Sequence, residues 1–317
     1  MALSGHLWTL GPTLLHRVRP ERAPEAEAWS TTVEDPRVGG VTLRGLYRRV
    51  PGAQACVVVV HGLGGTTDTF YCIRAAQVAE ELGLSCLRLA LRGADRRGED
   101  FYHAGLVEDL AAAVASEALA GYARIHVLGY SLGGHVSLRY ALSPSDARVA
   151  SVAAIGPPLD LERGAQAIDH ARSLVYRRHV LAGLKEIYAA VAERREVPTP
   201  VERVEQAATI RAWDGLTVVP RYGFDDVAHY YAAMSAGPRL AEIGLPTLIV
   251  QSEHDPMVPP WTYRDHLARE LPSVTAVHLP VGGHVSFPAR VRFPDGAHTD
   301  VERYALSWLT GEARGRA

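Results

Sequence analysis

Three residues of this 317-residue chain could together activate an oxygen nucleophile: Ser131 in Gly129-Tyr130-Ser131-Leu132-Gly133, Asp255 in His254-Asp255-Pro256, and His284 in Gly282-Gly283-His284-Val285. A serine hydroxyl attacks a carbonyl only if an imidazole takes its proton, and that imidazole needs an acceptor on its other nitrogen to hold the right tautomer. The order serine, acid, histidine fits that requirement. Glu253 and Asp160 are competing acids, but Asp255 alone combines a turn-forming Asp-Pro with a position just past a strand. With 29 glycines in the chain, G-x-S-x-G can arise without function, so its setting must decide.

The setting is that of a nucleophile elbow. Residues 124–130 form an apolar run that breaks at the serine and continues as a helical pattern from Leu132 to about Leu142. Glycines at 129 and 133 suit a turn too tight for side chains, and the N-terminus of the following helix points at the serine. Upstream, the buried-strand pattern Cys56–Val60 ends in His61-Gly62-Leu63-Gly64-Gly65. A loop this rich in glycine exposes backbone N–H groups, and those of Leu63 and Leu132 are the expected donors to an oxyanion. A plain glycine turn is the alternative reading of the loop.

Around these motifs, strand and helix patterns alternate. Helix is expected over Phe70–Leu82 and Leu106–Ala120, and buried strand over Ser85–Leu91, Val149–Ile155, Pro246–Gln251 and Val274–Leu279. Val38–Val50 alternates like one or two antiparallel strands. The alternation lapses between Leu159 and Arg239, where helices over Ala165–Val180, Leu184–Arg195 and Val201–Trp213 precede an aromatic-rich stretch. This divides the chain into a core of residues 1–156 and 244–317, with 1–30 as an N-terminal arm, and a helical lid of 157–243 inserted after the sixth strand. Tyr130, His103, Phe224 and Tyr230 are candidates to line a substrate pocket, with His103 read as a loop residue shaping the site. Gly11-Pro12 is expected to keep the apolar stretch from Gly5 to Leu15 from forming a long helix. Packing on the domain surface is favoured there over a membrane contact by Leu7, Trp8, Leu10 and Leu14. Residues 20–29 read as a linker.

Composition narrows the function classes. With 47% hydrophobic residues the chain can bury a large core, and 33 basic against 35 acidic residues, in no long block, argue against nucleic acid as a partner. Cys56, Cys72 and Cys86 are odd in number and sit in apolar patterns, so they are expected to be buried thiols in a reducing compartment. No run has transmembrane length, no signal peptide is evident, and the expected location is cytoplasmic. No His/Cys/Asp cluster has metal-ligand spacing, so no metal is expected.

The motifs resemble those of the YheT-like branch of the α/β-hydrolases: His61-Gly62-Leu63-Gly64-Gly65, Arg92-Gly93, Tyr102-His103, Gly129–Gly134, Gly223-Phe224 with Tyr230-Tyr231, His254-Asp255-Pro256 and Gly282–Val285. Gly5-His6-Leu7 through Pro12 joins the resemblance, which covers nearly the whole chain. It implies an α/β-hydrolase fold with a mostly parallel doubly wound sheet, carboxylic-ester hydrolysis by a Ser-Asp-His triad, and no cofactor. Ala104 stands where the pattern has serine after Tyr-His, and His135 where it often has asparagine. The expected activity is cleavage of short- to medium-chain acyl esters through an acyl-enzyme. An acyltransferase passing the same acyl group to an alcohol is the alternative, and a non-catalytic binding module the third reading. The expected partner is the small ester itself, with at most peripheral contact to a membrane, and nothing in the sequence speaks to oligomeric state.

Overall fold

A computed structural model describes residues 3–311. Strands β1 (Glu27–Asp35) and β2 (Gly39–Arg48) form an antiparallel hairpin, and β3 (Ala55–Val60), β4 (Ser85–Ala90), β5 (Arg124–Tyr130), β6 (Val149–Ile155), β7 (Thr247–Ser252) and β8 (Val274–Leu279) extend it into one sheet. The order is β1-β2-β4-β3-β5-β6-β7-β8. From β4 to β8 every pairing is parallel, while β2 joins β4 antiparallel. All residues of β3, β4 and β7 are buried, as β-branched and small apolar runs covered on both faces require.

The strand period of two sorts these side chains into two apolar layers. Val58, Val60 and Val127 face one side, and Val57, Val59 and Leu128 the other. Helices α3 (Glu108–Ala115) and α4 (Leu132–Ala141) cover the first face. Helices α2 (Phe70–Glu81) and α12 (Val301–Thr310) pack together over the second.

At the N-terminus the structure corrects the sequence reading. Residues Leu3–Val18 form a single helix, α1, with Pro12 inside it. Its buried residues are Gly5 and Thr9. A Cβ at Gly5 would lie 1.9 Å from the His254 carbonyl oxygen, and one at Gly283 would lie 2.4 Å from the Gly5 oxygen. This close tertiary seat holds the helix against the local cost of the proline, a contact that periodicity does not register. The packing surface is therefore the small-residue face, while Leu7, Leu10 and Leu14 are exposed. The linker expected over 20–29 is also shorter, because β1 begins at Glu27.

Between β6 and β7 lie helices α5 (Leu161–Asp169), α6 (Leu174–Ala192), α7 (Val201–Glu205), α8 (Ile210–Leu216), α9 (Val218–Tyr222) and α10 (Val227–Met234). The helix expected over Ala165–Val180 is instead split at His170, which takes an extended conformation (φ −62°, ψ 146°) and accepts the Arg172 N–H on its ring. After β7 come a short α11 (Arg264–Leu267), β8 and a small hairpin of β9 (Val291–Arg292) with β10 (His298–Thr299) before α12.

A buried ion network pins this segment to the core. Arg92, at the end of β4, contacts Asp35 (2.7 Å), Asp100 (3.1 Å) and Asp109 (2.8 Å). Asp100 in turn accepts from Arg221 Nε (2.9 Å) and Tyr222 Oη (3.2 Å) on α9. On the other side, the ring nitrogens of His135 in α4 lie 2.6 and 2.8 Å from the carbonyl oxygens of Pro158 and Met234, near the two ends of the segment.

Candidate active site

Ser131 follows β5 directly and takes φ 51°, ψ −120°, a left-handed conformation rare for a residue with a side chain. The turn is tight enough to require both flanking glycines. A Cβ at Gly129 would meet the Gly133 oxygen at 2.3 Å, and one at Gly133 would meet the His61 oxygen at 2.3 Å. Backbone atoms cannot yield to such contacts, so the chain turns here only with glycine.

Two other strand ends meet this elbow. His284 Nε2 lies 2.8 Å from Ser131 Oγ, and His284 Nδ1 lies 2.8 Å from Asp255 Oδ2. The other oxygen of Asp255 accepts the N–H groups of Met257 (2.7 Å) and Val258 (2.9 Å), so the carboxylate is held from both sides. An acceptor at Nδ1 keeps the imidazole proton there and leaves Nε2 free to take the serine proton. Of the competing acids, Glu253 is exposed, and Asp160 caps α5 by accepting the Arg163 N–H.

The glycine loop lies beside the serine, with a Cβ at Gly62 falling 3.1 Å from the Ser131 Cβ. Gly62 N–H donates to Tyr71 Oη (3.1 Å), Gly64 N–H to Tyr102 Oη (2.7 Å), and Gly65 N–H to the Gly62 oxygen (3.0 Å). Among the described residues no acceptor faces the N–H of Leu63, while Leu132 opens α4 with its N–H at the helix start. His61 braces the same loop. It accepts the Leu91 N–H on Nε2 (3.2 Å), so its Nδ1–H donates to the Gly62 oxygen (2.8 Å), and burial pushes its pKa down to about 4. Nothing in the sequence alone gives Tyr71, Tyr102 or His61 this work. Tyr102 and His61 stand in recognisable motifs, but Tyr71 carries no local signal.

The serine opens into a cavity of about 600 Å³ whose walls include Leu14 of α1, Tyr176 and Val180 of α6, Trp213 of α8, and Tyr230 and Tyr231 of α10. Most of that wall is apolar or aromatic, which suits a hydrocarbon chain. Of the four proposed pocket residues, Tyr230 and His103 line the cavity and Tyr130 and Phe224 do not. Tyr130 immediately precedes the serine on β5, so the alternation of the strand turns it to the opposite layer, against Tyr71. Phe224 sits behind the wall, 4.9 Å from the Tyr230 ring. His103 packs against Tyr222 and Tyr230, and burial, with Arg92 nearby, pushes its pKa down to about 3, which favours the neutral ring on the cavity wall. Asp214 also reaches the cavity, and burial raises its pKa to about 7.

Cys56, Cys72 and Cys86 are buried and unpaired. Among the described residues no group of three His, Cys, Asp or Glu side chains could hold a metal ion, and no helix is long and apolar enough to cross a membrane.

Comparison with known proteins places this geometry. The α/β hydrolase fold family matches residues 56–290. The Escherichia coli protein YheT, named as a candidate esterase, is 30% identical over 73% of this chain and 70% of its own length. Human phospholipase ABHD3 is 24% identical over 73% of this chain, and the match takes in 58% of that protein. Among solved structures, the Pyrococcus furiosus esterase Pf2001 superposes with a TM-score of 0.55 at 14% identity, covering 92% of this chain and 91% of that one, a likeness of fold. The chain is thus a member of the α/β-hydrolase fold family, in its YheT-like branch.

Proposed function

We propose that this protein hydrolyses carboxylic esters through an acyl-enzyme on Ser131, with His284 as general base and acid and Asp255 as its orienting acceptor. The observation that carries this reading is the unbroken pair of 2.8 Å contacts from Asp255 through His284 to Ser131 at the wall of an apolar cavity. Ser131 Oγ attacks the ester carbonyl carbon as its proton passes to His284 Nε2. The carbonyl oxygen becomes an oxyanion facing the N–H groups of Leu63 and Leu132 at the positive end of α4. Collapse of the adduct breaks the bond to the alcohol, which leaves with the proton from His284. Water, deprotonated by the same nitrogen, then attacks the acyl carbon, and the acid departs as the serine regains its proton.

The aromatic and aliphatic wall supports an acyl chain of short to medium length, and the names of relatives as esterase and phospholipase point to the same bond type. Residues 157–243 act in this reading as the lid that shapes the acyl pocket. A fluorophosphonate label followed by a panel of p-nitrophenyl esters tests the proposal. The wild type should be labelled at Ser131 and turn over short esters, while Ser131→Ala should lose the label and about 10⁶ of kcat with an unchanged melting temperature. Normal turnover by that variant would reject the assignment.

A further inference from the structure

Helix α1 is inverted. Its small and polar residues Gly5 and Thr9 face the protein, while Leu3, Leu7, Leu10, Leu14 and Val18, spaced by three or four, form one stripe on its outer face. Leu3, Leu7 and Val18 are 83%, 71% and 86% exposed, where a helix packed on a core would turn them inward.

The stripe runs into the active-site cavity. Leu10 and Leu14 are on its wall, as is Val175 in the first turn of α6, itself 63% exposed. His6 Nδ1 lies 2.6 Å from Tyr176 Oη, so α1 and the start of α6 flank one mouth. The charges that α1 itself brings to that mouth have one sign. Residues 3–20 contain no Asp or Glu, and they carry Arg17 and Arg19 at and just past the end of α1.

We propose that this face seats the protein on an anionic lipid surface, with the leucine stripe in the acyl boundary, the arginines among the headgroups and the mouth of the Ser131 cavity opening into the bilayer. An amphipathic helix with an apolar stripe and flanking cations binds in this way. A second copy of the chain fits the face less well, because a twofold contact would set these cations against themselves. That the bilayer also supplies the ester rests on the hydrolase reading above, whereas the docking itself does not.

Vesicle co-sedimentation of the full chain tests the proposal, with phosphatidylcholine alone and phosphatidylcholine mixed with phosphatidylglycerol. The wild type should partition onto the mixed vesicles and several-fold less onto the neutral ones. The triple variant Leu3→Ser/Leu7→Ser/Val18→Ser should lose at least about tenfold in partition, since three apolar side chains no longer enter the boundary. The variant Arg19→Glu should lose most of the preference for phosphatidylglycerol. Each variant should keep wild-type turnover of a water-soluble acetyl ester, which shows that it folds. Absence of wild-type binding, partition indifferent to phosphatidylglycerol, or undiminished binding by the triple variant would overturn the proposal. So would a dimer in light scattering that the triple variant abolishes. Failure of every preparation to cleave the acetyl ester would instead reject the hydrolase reading and leave the partition result standing.

Discussion

The backbone N–H of His284 donates to the hydroxyl of Thr9 at 2.8 Å across a separation of 275 residues, and that hydroxyl donates to the Gly5 oxygen at 2.7 Å. The N-terminal helix thus holds the loop that presents the imidazole to Ser131. Thr9→Val keeps the shape of the side chain and removes the acceptor, leaving a buried N–H unpaired at a cost of about 1–3 kcal/mol. Expressed at the transition state, part of that cost should lower kcat about tenfold on a soluble acetyl ester with little change in KM. Thr9→Ser should restore it. Steady-state kinetics of both variants, with thermal melts alongside, distinguish a displaced histidine from a general loss of stability.

Asp255→Asn should cost about 10⁴ in kcat, because the amide can donate to the ring and favour the wrong tautomer of His284. Glu253→Gln, on an exposed side chain, should cost little. Turnover by the two purified variants measures the contrast, and a larger loss at Glu253 would reassign the acid.

Acyl selection should follow the cavity wall. Each methylene buried contributes about 0.8 kcal/mol, so kcat/KM should climb roughly fourfold per added carbon until the cavity fills, then fall. Tyr230→Ala enlarges the wall and should move the optimum to longer chains, though it also leaves the Ala104 N–H without its 2.9 Å acceptor. Phe224→Ala, one layer behind, should move it less. A series from acetyl to palmitoyl esters, run well below the melting temperature, reads both effects. Equal optima in all three proteins would remove Tyr230 from the pocket.

Asp214 gives a pH dependence of known sign. Burial raises its folded-state pKa to about 7, above the usual carboxylate range, so the folded chain holds a proton that the unfolded chain has released. Its contribution to stability is complete below about pH 4 and is lost as pH rises to about 7, after which it is level. Asp214→Asn can still accept from Tyr231 Oη, which lies 2.5 Å from the native carboxylate, and it should gain on the wild type as pH is raised. Thermal melts between pH 5 and pH 8, values chosen to bracket the titration, check this. Glu302, buried and also raised to about 7, should leave a residual slope of the same sign.

Much of this architecture was legible because strand ends carry local signals. Val149–Ile155 and Val274–Leu279 read from the sequence with the boundaries they have in the structure, since short β-branched runs bounded by turns leave few alternatives. The glycines around Ser131 carried the elbow in the same way. What did not read was set by distant contacts. Gly11-Pro12 looks like a helix break until Gly5 is seen against His254, and the leucine stripe looks like a packing face because periodicity cannot tell inside from outside. Tyr130 and Phe224 are pocket candidates on the sequence, whereas strand alternation and a single layer of depth keep them off its wall. The split at His170 depends on a side-chain cap that competes with a good helical pattern.

The Arg92 network limits how the 157–243 segment can be exchanged between hydrolases. Asp100 has partners on both sides, Arg92 in the core and Arg221 with Tyr222 in the segment. A chimaera that grafted a foreign segment without an equivalent arginine and tyrosine would leave three buried carboxylates around one guanidinium, and would need a compensating change at Asp100 before pocket specificity could be transferred.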